Sequence, residues 1–219
     1  MKIYIVIAAY NEEKNIANIL RSLVNLDYNI VVVDDGSKDR TVDIVKNYPV
    51  TLLKHIINRG QGASLVTGTE YAYQKGADIV VHFDADGQHL ISEISKIIKP
   101  IMDNEVDIVL GSKFLQKNKI PFFKKYFIIK PAIVFNNLFT GIKLTDVHNG
   151  FRGLSRKALS LIKIKQDGMA HASEIIAEIK KHKLKYKEVP VTVIYNEFGQ
   201  GLFSGFRILK DLIFNNLIK

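Results

Sequence analysis

The chain has 219 residues, no Cys, no Trp and a formal charge of +9. At about 100–200 residues per domain this is one large domain or two small ones, long enough to bury a real core. A 47% hydrophobic and 24% charged content excludes a disordered, collagenous or coiled-coil chain, and zero Cys excludes a disulfide framework, a zinc ribbon and a thiol nucleophile.

The first 110 residues alternate strand and helix patterns. Ile3 to Ile7 is a continuous, mostly β-branched run, as expected of a strand covered on both faces. Ile16, Ile19, Leu20 and Leu23 then recur at helical spacing. Ile30 to Val33 is a second buried strand, ending in Asp34-Asp35-Gly36-Ser37, and a short helix carries Val42 and Val45. Val50 to Leu53 reads as a third strand and Gly62 to Gln74 as a helix rich in small residues. Ile79 to Phe83 is a fourth strand, ending in Asp84-Ala85-Asp86. Ile94, Ile97, Ile98 and Ile101 mark a helix whose end Pro100 should distort, and Val106 to Leu110 is a fifth strand. This alternation implies an α/β fold, a largely parallel sheet with helices on both faces, whose ligands bind beyond the carboxyl ends of the strands.

From Lys113 to Thr145 the character changes: seven Lys, no Asp or Glu, and many interleaved Phe and Ile. Residues 114–143 are therefore expected to form a basic amphipathic segment able to lie on an anionic membrane surface, although the same apolar residues could pack in the core. The α/β texture then resumes, with a strand near Gly150 to Leu154, a helix from Ala172 to His182 and a strand from Tyr186 to Tyr195. Residues 202–218 carry Phe206, Leu209, Ile213 and Leu217 on one face of an expected amphipathic helix. With no linker, repeat or low-complexity tract, one domain over 1–219 is the simplest organisation. The longest apolar run is eight residues, Ile3 to Tyr10, short of the roughly 18–20 that a membrane helix needs. The expected location is cytoplasmic, peripheral on the inner face of the membrane. The net charge favours anionic partners, but no nucleic-acid motif is present.

Several strand ends carry residues suited to chemistry. Asp84-x-Asp86 with Gln88 offers carboxylate and amide oxygens, hard ligands that suit Mg²⁺ or Mn²⁺ rather than Zn²⁺. A solvated turn whose Asp residues cap the next helix would use the same residues. Asp35 can accept the N–H of a nucleobase, and Asp-Gly-Ser is also an ordinary turn. Tyr10 offers a stacking face and Glu12 an acceptor for ribose hydroxyls. Asn58-Arg59-Gly60-Gln61-Gly62 is a Gly-rich loop that matches neither a P-loop nor a dinucleotide fingerprint, and its glycines need only permit a tight turn.

Taken in order, Ala8-Ala9-Tyr10-Asn11-Glu12-Glu13, Val33-Asp34-Asp35-Gly36-Ser37, the Asn-x-Gly-x-Gly-Ala loop and Asp84-Ala85-Asp86-Gly87-Gln88-His89 resemble the motifs of family 2 glycosyltransferases of the GT-A fold. Asp146 to Arg152 and Glu188-Val189-Pro190 resemble segments of the dolichyl- or polyprenyl-phosphate sugar synthases in that family. The resemblance implies that Ala8, Tyr10, Glu12, Val33 and Asp35 hold the nucleoside, and that Asp84 and Ala85 lie against ribose and phosphates. It implies that Asp86 and Gln88 hold the divalent metal with Asp84 nearby. Lys113, in the place of an Arg, and Arg152 would face the acceptor phosphate. The implied reaction moves a sugar, with inversion, from a UDP- or GDP-linked donor to a polyprenyl phosphate. A hydroxyl of a lipid-linked or surface glycan is the alternative acceptor and would require a base, for which Glu174 is the candidate. A peripheral nucleotide-binding module without activity is the non-enzymatic alternative.

Overall fold

The computed structural model describes residues 1–116, 142–147 and 149–194. Its strands are β1 (Ile3–Ala9), β2 (Asn29–Asp34), β3 (Thr51–Lys54), β4 (Ile79–Asp84), β5 (Ile108–Ser112), β6 (Arg152–Ser155) and β7 (Tyr186–Pro190). They form one sheet in the order β3-β2-β1-β4-β6-β5-β7. The helices are α1 (Ile16–Leu23), α2 (Thr41–Val45), α3 (Gln61–Gln74), α4 (Ile94–Met102), α5 (Arg156–Leu161) and α6 (His171–Lys181). β1 pairs in parallel with β2 and β4, β2 with β3, and β5 with β7. β6 runs antiparallel to both its neighbours, β4 and β5.

Strand alternation divides the core between the two faces. Ile5 and Ile7 of β1, Ile30 and Val32 of β2, and Val81 and Phe83 of β4 pack with the isoleucines of α4 and the Ile/Leu stripe of α1. Tyr4 and Val6, Val31 and Val33, and Val80 face α3, α5 and α6 instead. On that second face Gly68 lets α3 settle onto β1, because a Cβ there would lie 2.4 Å from Cγ1 of Val6. Pro100 sits in the last turn of α4, which ends two residues later at Met102.

Three local features depart from the sequence pattern. β6 inserts antiparallel into an otherwise parallel sheet. The strand expected to reach Tyr195 ends at Pro190: β5 stops at Ser112, and the chain switches partners, with Val193 forming an antiparallel bridge to His89 and the Ile194 amide donating to the Gln88 carbonyl at 2.9 Å. The six-residue α5, too short to show a helical period, is fixed by Ser155, whose hydroxyl accepts the Ala158 amide at the helix start. Residues 117–141 of the basic segment and the whole of 202–218 lie outside the described residues.

His82 lies on the α3 face of β4, buried, with Nε2 2.9 Å from Oγ1 of Thr69. Burial, followed by the charges of Arg152 and His171, lowers its pKa to about 3. The native state therefore holds His82 neutral where the unfolded chain, with an ordinary value near 6.5, binds a proton. Stability should fall as pH drops between about 6.5 and 3, by up to about 1.4 kcal/mol per pH unit from this group. Urea midpoints measured from pH 7 to pH 4 should show a shallower decline in His82→Gln than in the wild type.

Candidate active site

β1 has parallel neighbours reached by crossovers in opposite directions, β2 on one side and β4 on the other, so a crevice opens at the carboxyl ends of these strands. A cleft of about 500 Å³ occupies it. β1 contributes Ala8, Ala9 and Tyr10, followed by Glu12; the loop after β2 gives Asp35; β4 and the following turn give Asp84, Ala85, Asp86, Gln88 and His89. Because β6 is antiparallel, its first residue, Arg152, stands opposite His82 near the end of β4 and so reaches the same rim, with Asn149 and Gly150 beside it. Lys113 after β5 and His171 at the start of α6 complete the far wall.

The carboxylates differ in how they are held. Asp84 is engaged at both oxygens: Oδ1 accepts from Nε2 of Gln61 at 2.9 Å, and Oδ2 lies 3.2 Å from Nε2 of His89. Burial pushes its carboxyl up, but the His89 hydrogen bond and the charges of His89, Arg152 and His171 more than offset this and hold it below the usual range. Asp86 uses Oδ1 to accept the Gln88 amide at 2.9 Å, closing its own turn, and among the described residues Oδ2 has no hydrogen-bond partner. Its carboxyl is raised, by burial first and by the charge of Asp84. Glu12 is raised as well, by burial and then by Asp86, Asp39 and Asp84. Crowded, partly desolvated carboxylates of this kind favour a cation among them.

The fit to a hard divalent ion is therefore good on donor chemistry: a free carboxylate oxygen on Asp86, the amide of Gln88 in the same turn, and no thiol. No group of three His, Cys, Asp or Glu side chains among the described residues is arranged to hold a metal. A cation here would take protein ligands chiefly from the Asp86 turn and complete its shell with phosphate oxygens and water. Asp84 is then a brace for Gln61 and His89 rather than a free ligand.

Asp35 is similarly occupied. Its Oδ1 accepts the Arg59 amide at 3.0 Å and meets Nδ1 of His55 at 2.7 Å, while Oδ2 accepts the Gly60 amide at 2.7 Å. Burial raises this carboxyl, but those bonds outweigh it and leave the pKa lowered. The Gly-rich loop is thus tied to the end of β2. Gly60 has φ of 109°, a left-handed conformation that glycine tolerates. Gly62 serves close approach instead, since a Cβ there would lie 2.1 Å from the Gln166 carbonyl oxygen.

On the β6 side Arg152 is 2% exposed, and among the described residues its Nη1 has no hydrogen-bond partner. Burial lowers its pKa to about 10 while Asp84 and Asp146 oppose the shift, so it stays cationic at neutral pH. Lys113 lies 3.5 Å from Asp146 with part of its side chain open to solvent. The cleft thus has an acidic half, suited to a cation, facing a basic half with an unpaired buried donor, suited to an anion.

Two of the residues expected in the site are elsewhere. Val33 is fully buried on the α3 face of β2, packed beneath Gly68. Glu174 does not line the cleft: its Oε2 accepts the amides of Lys165 and Gln166 at 2.8 and 2.9 Å, pinning that loop to α6. It braces a loop whose Asp167 carbonyl accepts the Ala63 amide at the start of α3. Sequence reasoning also missed Gln61, Ser64, His89, Asn149 and His171. His89 follows the Asp-x-Asp turn directly and packs with its ring centroid 5.0 Å from that of Phe151; Gln61 and Asn149 lie inside motifs singled out above, while Ser64 and His171 are brought to the rim by tertiary packing.

Solved structures share this architecture. The glucosyl-3-phosphoglycerate synthase of Mycobacterium tuberculosis, in complex with Mn²⁺ and UDP-glucose, superposes with a TM-score of 0.73 at 18% identity, covering 97% of this chain and 76% of that one. The α/β fold is GT-A. The model described as glycosyl transferase family 2 matches residues 4–162, and the chain belongs to that family. Its relatives include the UDP-N-acetylglucosamine–dolichyl-phosphate N-acetylglucosaminyltransferase of Methanococcus voltae, 36% identical over 96% of this chain and 94% of the relative. The dolichol-phosphate mannosyltransferase of Pyrococcus furiosus is 30% identical over 97% of this chain, which spans 62% of that longer protein. The chain is thus a glycosyltransferase, which sets aside the non-enzymatic module.

Proposed function

We propose that this enzyme transfers a sugar, with inversion at the anomeric carbon, from a nucleotide-diphosphate sugar to a polyprenyl phosphate at the cytoplasmic face of a membrane. The observation that carries the reading is the buried Arg152, with its unpaired Nη1, in the same cleft as Asp86. A guanidinium kept cationic in a partly desolvated wall is a phosphate ligand in search of an anion. The M. voltae and P. furiosus relatives, named for transfer to dolichyl phosphate, support the same acceptor class.

Each half of the cleft has a task. Tyr10, Glu12 and the loop held by Asp35 receive the nucleoside, and Ala8 and Ala85 leave room beside them. The Asp86 turn, with Gln88, would hold Mg²⁺ or Mn²⁺ against the donor diphosphate. When bound, such an ion supplies Lewis-acid neutralisation of the charge that collects on the leaving diphosphate. Arg152 and Lys113 hold the acceptor phosphate opposite the anomeric carbon and exclude water from its path. The first α6 turn, at His171, adds the positive end of a helix to that anion-binding zone.

A phosphate acceptor needs no protein base. Its second pKa is about 6, so it is largely dianionic at neutral pH and can attack directly. A glycan hydroxyl would need a base, and the side chain expected for that task, Glu174, is bound to backbone amides outside the cleft. Glu174→Gln should accordingly keep kcat within about threefold of wild type, since a missing general base costs about 10²-fold or more. The direct test incubates UDP- and GDP-sugars with polyprenyl phosphate in detergent and Mg²⁺ or Mn²⁺, then weighs the lipid by mass spectrometry. A lipid phosphate heavier by one glycosyl unit is expected; no product with any donor, while a lipid-linked glycan is elongated, would overturn the assignment.

A further inference from the structure

The loop that follows β3 carries two exposed isoleucines. Ile56 is 100% exposed and Ile57 68% exposed. They stand on the same rim as the cleft mouth, because β3 is parallel to β2 and its last residue, Lys54, is level with Asp34. The rim is continuous. Gly36 lies so close to the loop that a Cβ there would be 2.9 Å from the backbone of Ile57 and Asn58. Ser37 accepts the Asn11 amide at 2.9 Å, and Asn11 accepts the Lys38 amide at 2.8 Å. The next residue along, Tyr10, is 43% exposed at the cleft edge, and Met169, which also lines the cleft, is 45% exposed.

Charge accompanies this apolar edge. Lys54 and Arg59 flank the isoleucines, and Lys38 and Arg40 follow β2. Among the described residues Lys38, Arg40 and Lys54 make no ion pair, while Arg59 meets Asp167 at 3.5 Å. The nearby acids Glu13 and Asp39 have their carboxylates on backbone amides of Arg40, Glu13 and Thr41. Exposed aliphatic side chains set among unpaired cations match an anionic lipid surface, into which the aliphatic groups dip while the cations meet headgroups.

We propose that Ile56 and Ile57 are a membrane-insertion tip that presents the cleft mouth to an anionic bilayer. The inference rests on the lipid-linked acceptor reading, and it names a surface on the nucleotide side of the cleft, formed by a part of the chain other than the basic segment 114–143. Its role is orientation: the rim with the donor site faces the headgroups, where a polyprenyl phosphate is anchored by its tail.

The chain contains no Trp, so a single introduced indole reports its own surroundings. In Ile56→Trp, placed where no packing is lost, vesicles of 30% phosphatidylglycerol in phosphatidylcholine should shift the emission to the blue, and bromolipids should quench it at least twofold. Ile56→Ser/Ile57→Ser should bind the same vesicles at least tenfold more weakly in sedimentation, with kcat on a short-chain, water-soluble prenyl phosphate within twofold of wild type. Vesicle binding without blue shift or quenching overturns the proposal, as does undiminished binding by the double variant. Spectral change that depends on protein concentration and not on lipid identifies a second copy as the occupant and also overturns it. If the tip inserts while no prenyl phosphate is glycosylated, the acceptor reading fails alone.

Discussion

Asp86→Asn is expected to lower kcat/KM by about 10³-fold, or about 4 kcal/mol of transition-state stabilisation, while leaving the fold intact. The side-chain amide keeps an oxygen where Oδ1 accepts the Gln88 amide, so the turn survives. What is lost is the negative charge on an oxygen that no donor among the described residues occupies. Thermal stability should be unchanged or slightly higher, since burial and Asp84 already oppose ionisation of Asp86. Mn²⁺ binding in the presence of UDP, followed by electron paramagnetic resonance, should weaken in parallel with activity. A variant that retained wild-type kcat/KM in Mn²⁺ would remove Asp86 from the metal assignment.

The second large effect is expected from one methyl group. In Gly150→Ala, the added Cβ would lie 2.4 and 2.6 Å from the two carboxylate oxygens of Asp84. Such a contact forces movement, and the short Asp84 side chain cannot swing clear without breaking its bonds to Gln61 and His89. Displacement of the carboxylate and of the adjacent Asp86 turn should cost about 10²-fold in kcat/KM. Overpacking should also cost about 1–3 kcal/mol in stability. Gly168→Ala is the control: nothing lies within 4 Å of its Cβ position, so kinetics and urea midpoint should match the wild type. Equal behaviour of the two variants would show that the Asp84 position is not critical to the reaction.

Much of the architecture was legible because periodicity and burial agree locally. The stripe Ile16, Ile19, Leu20 and Leu23 and the stripe Ile94, Ile97, Ile98 and Ile101 are all buried in helices, and the runs starting at Ile3, Ile30 and Ile79 are strands. Direction was not legible. Nothing in Arg152-Gly153-Leu154-Ser155 states that β6 runs against β4, because strand polarity follows from the path of the connecting chain. The site was readable as residue types at strand ends, but not as a network. Asp35 and Asp84, like Asp86, read as acids at strand ends, yet their carboxylates are filled by His55, Arg59 and Gly60, and by Gln61 and His89, partners 20–25 residues distant for Asp35 and 23 and 5 for Asp84. Glu174 shows the same limit: its position in the first turn of α6 is visible, but the amides of Lys165 and Gln166 that it holds are known only once the loop has folded back.

The bridge between His89 and Val193, with the Ile194 amide on the Gln88 carbonyl, ties the carboxyl-proximal chain to the turn that carries Asp86. A chain that stopped short of Ile194, four residues past β7, would therefore lose a backbone tie on the turn that carries Asp86.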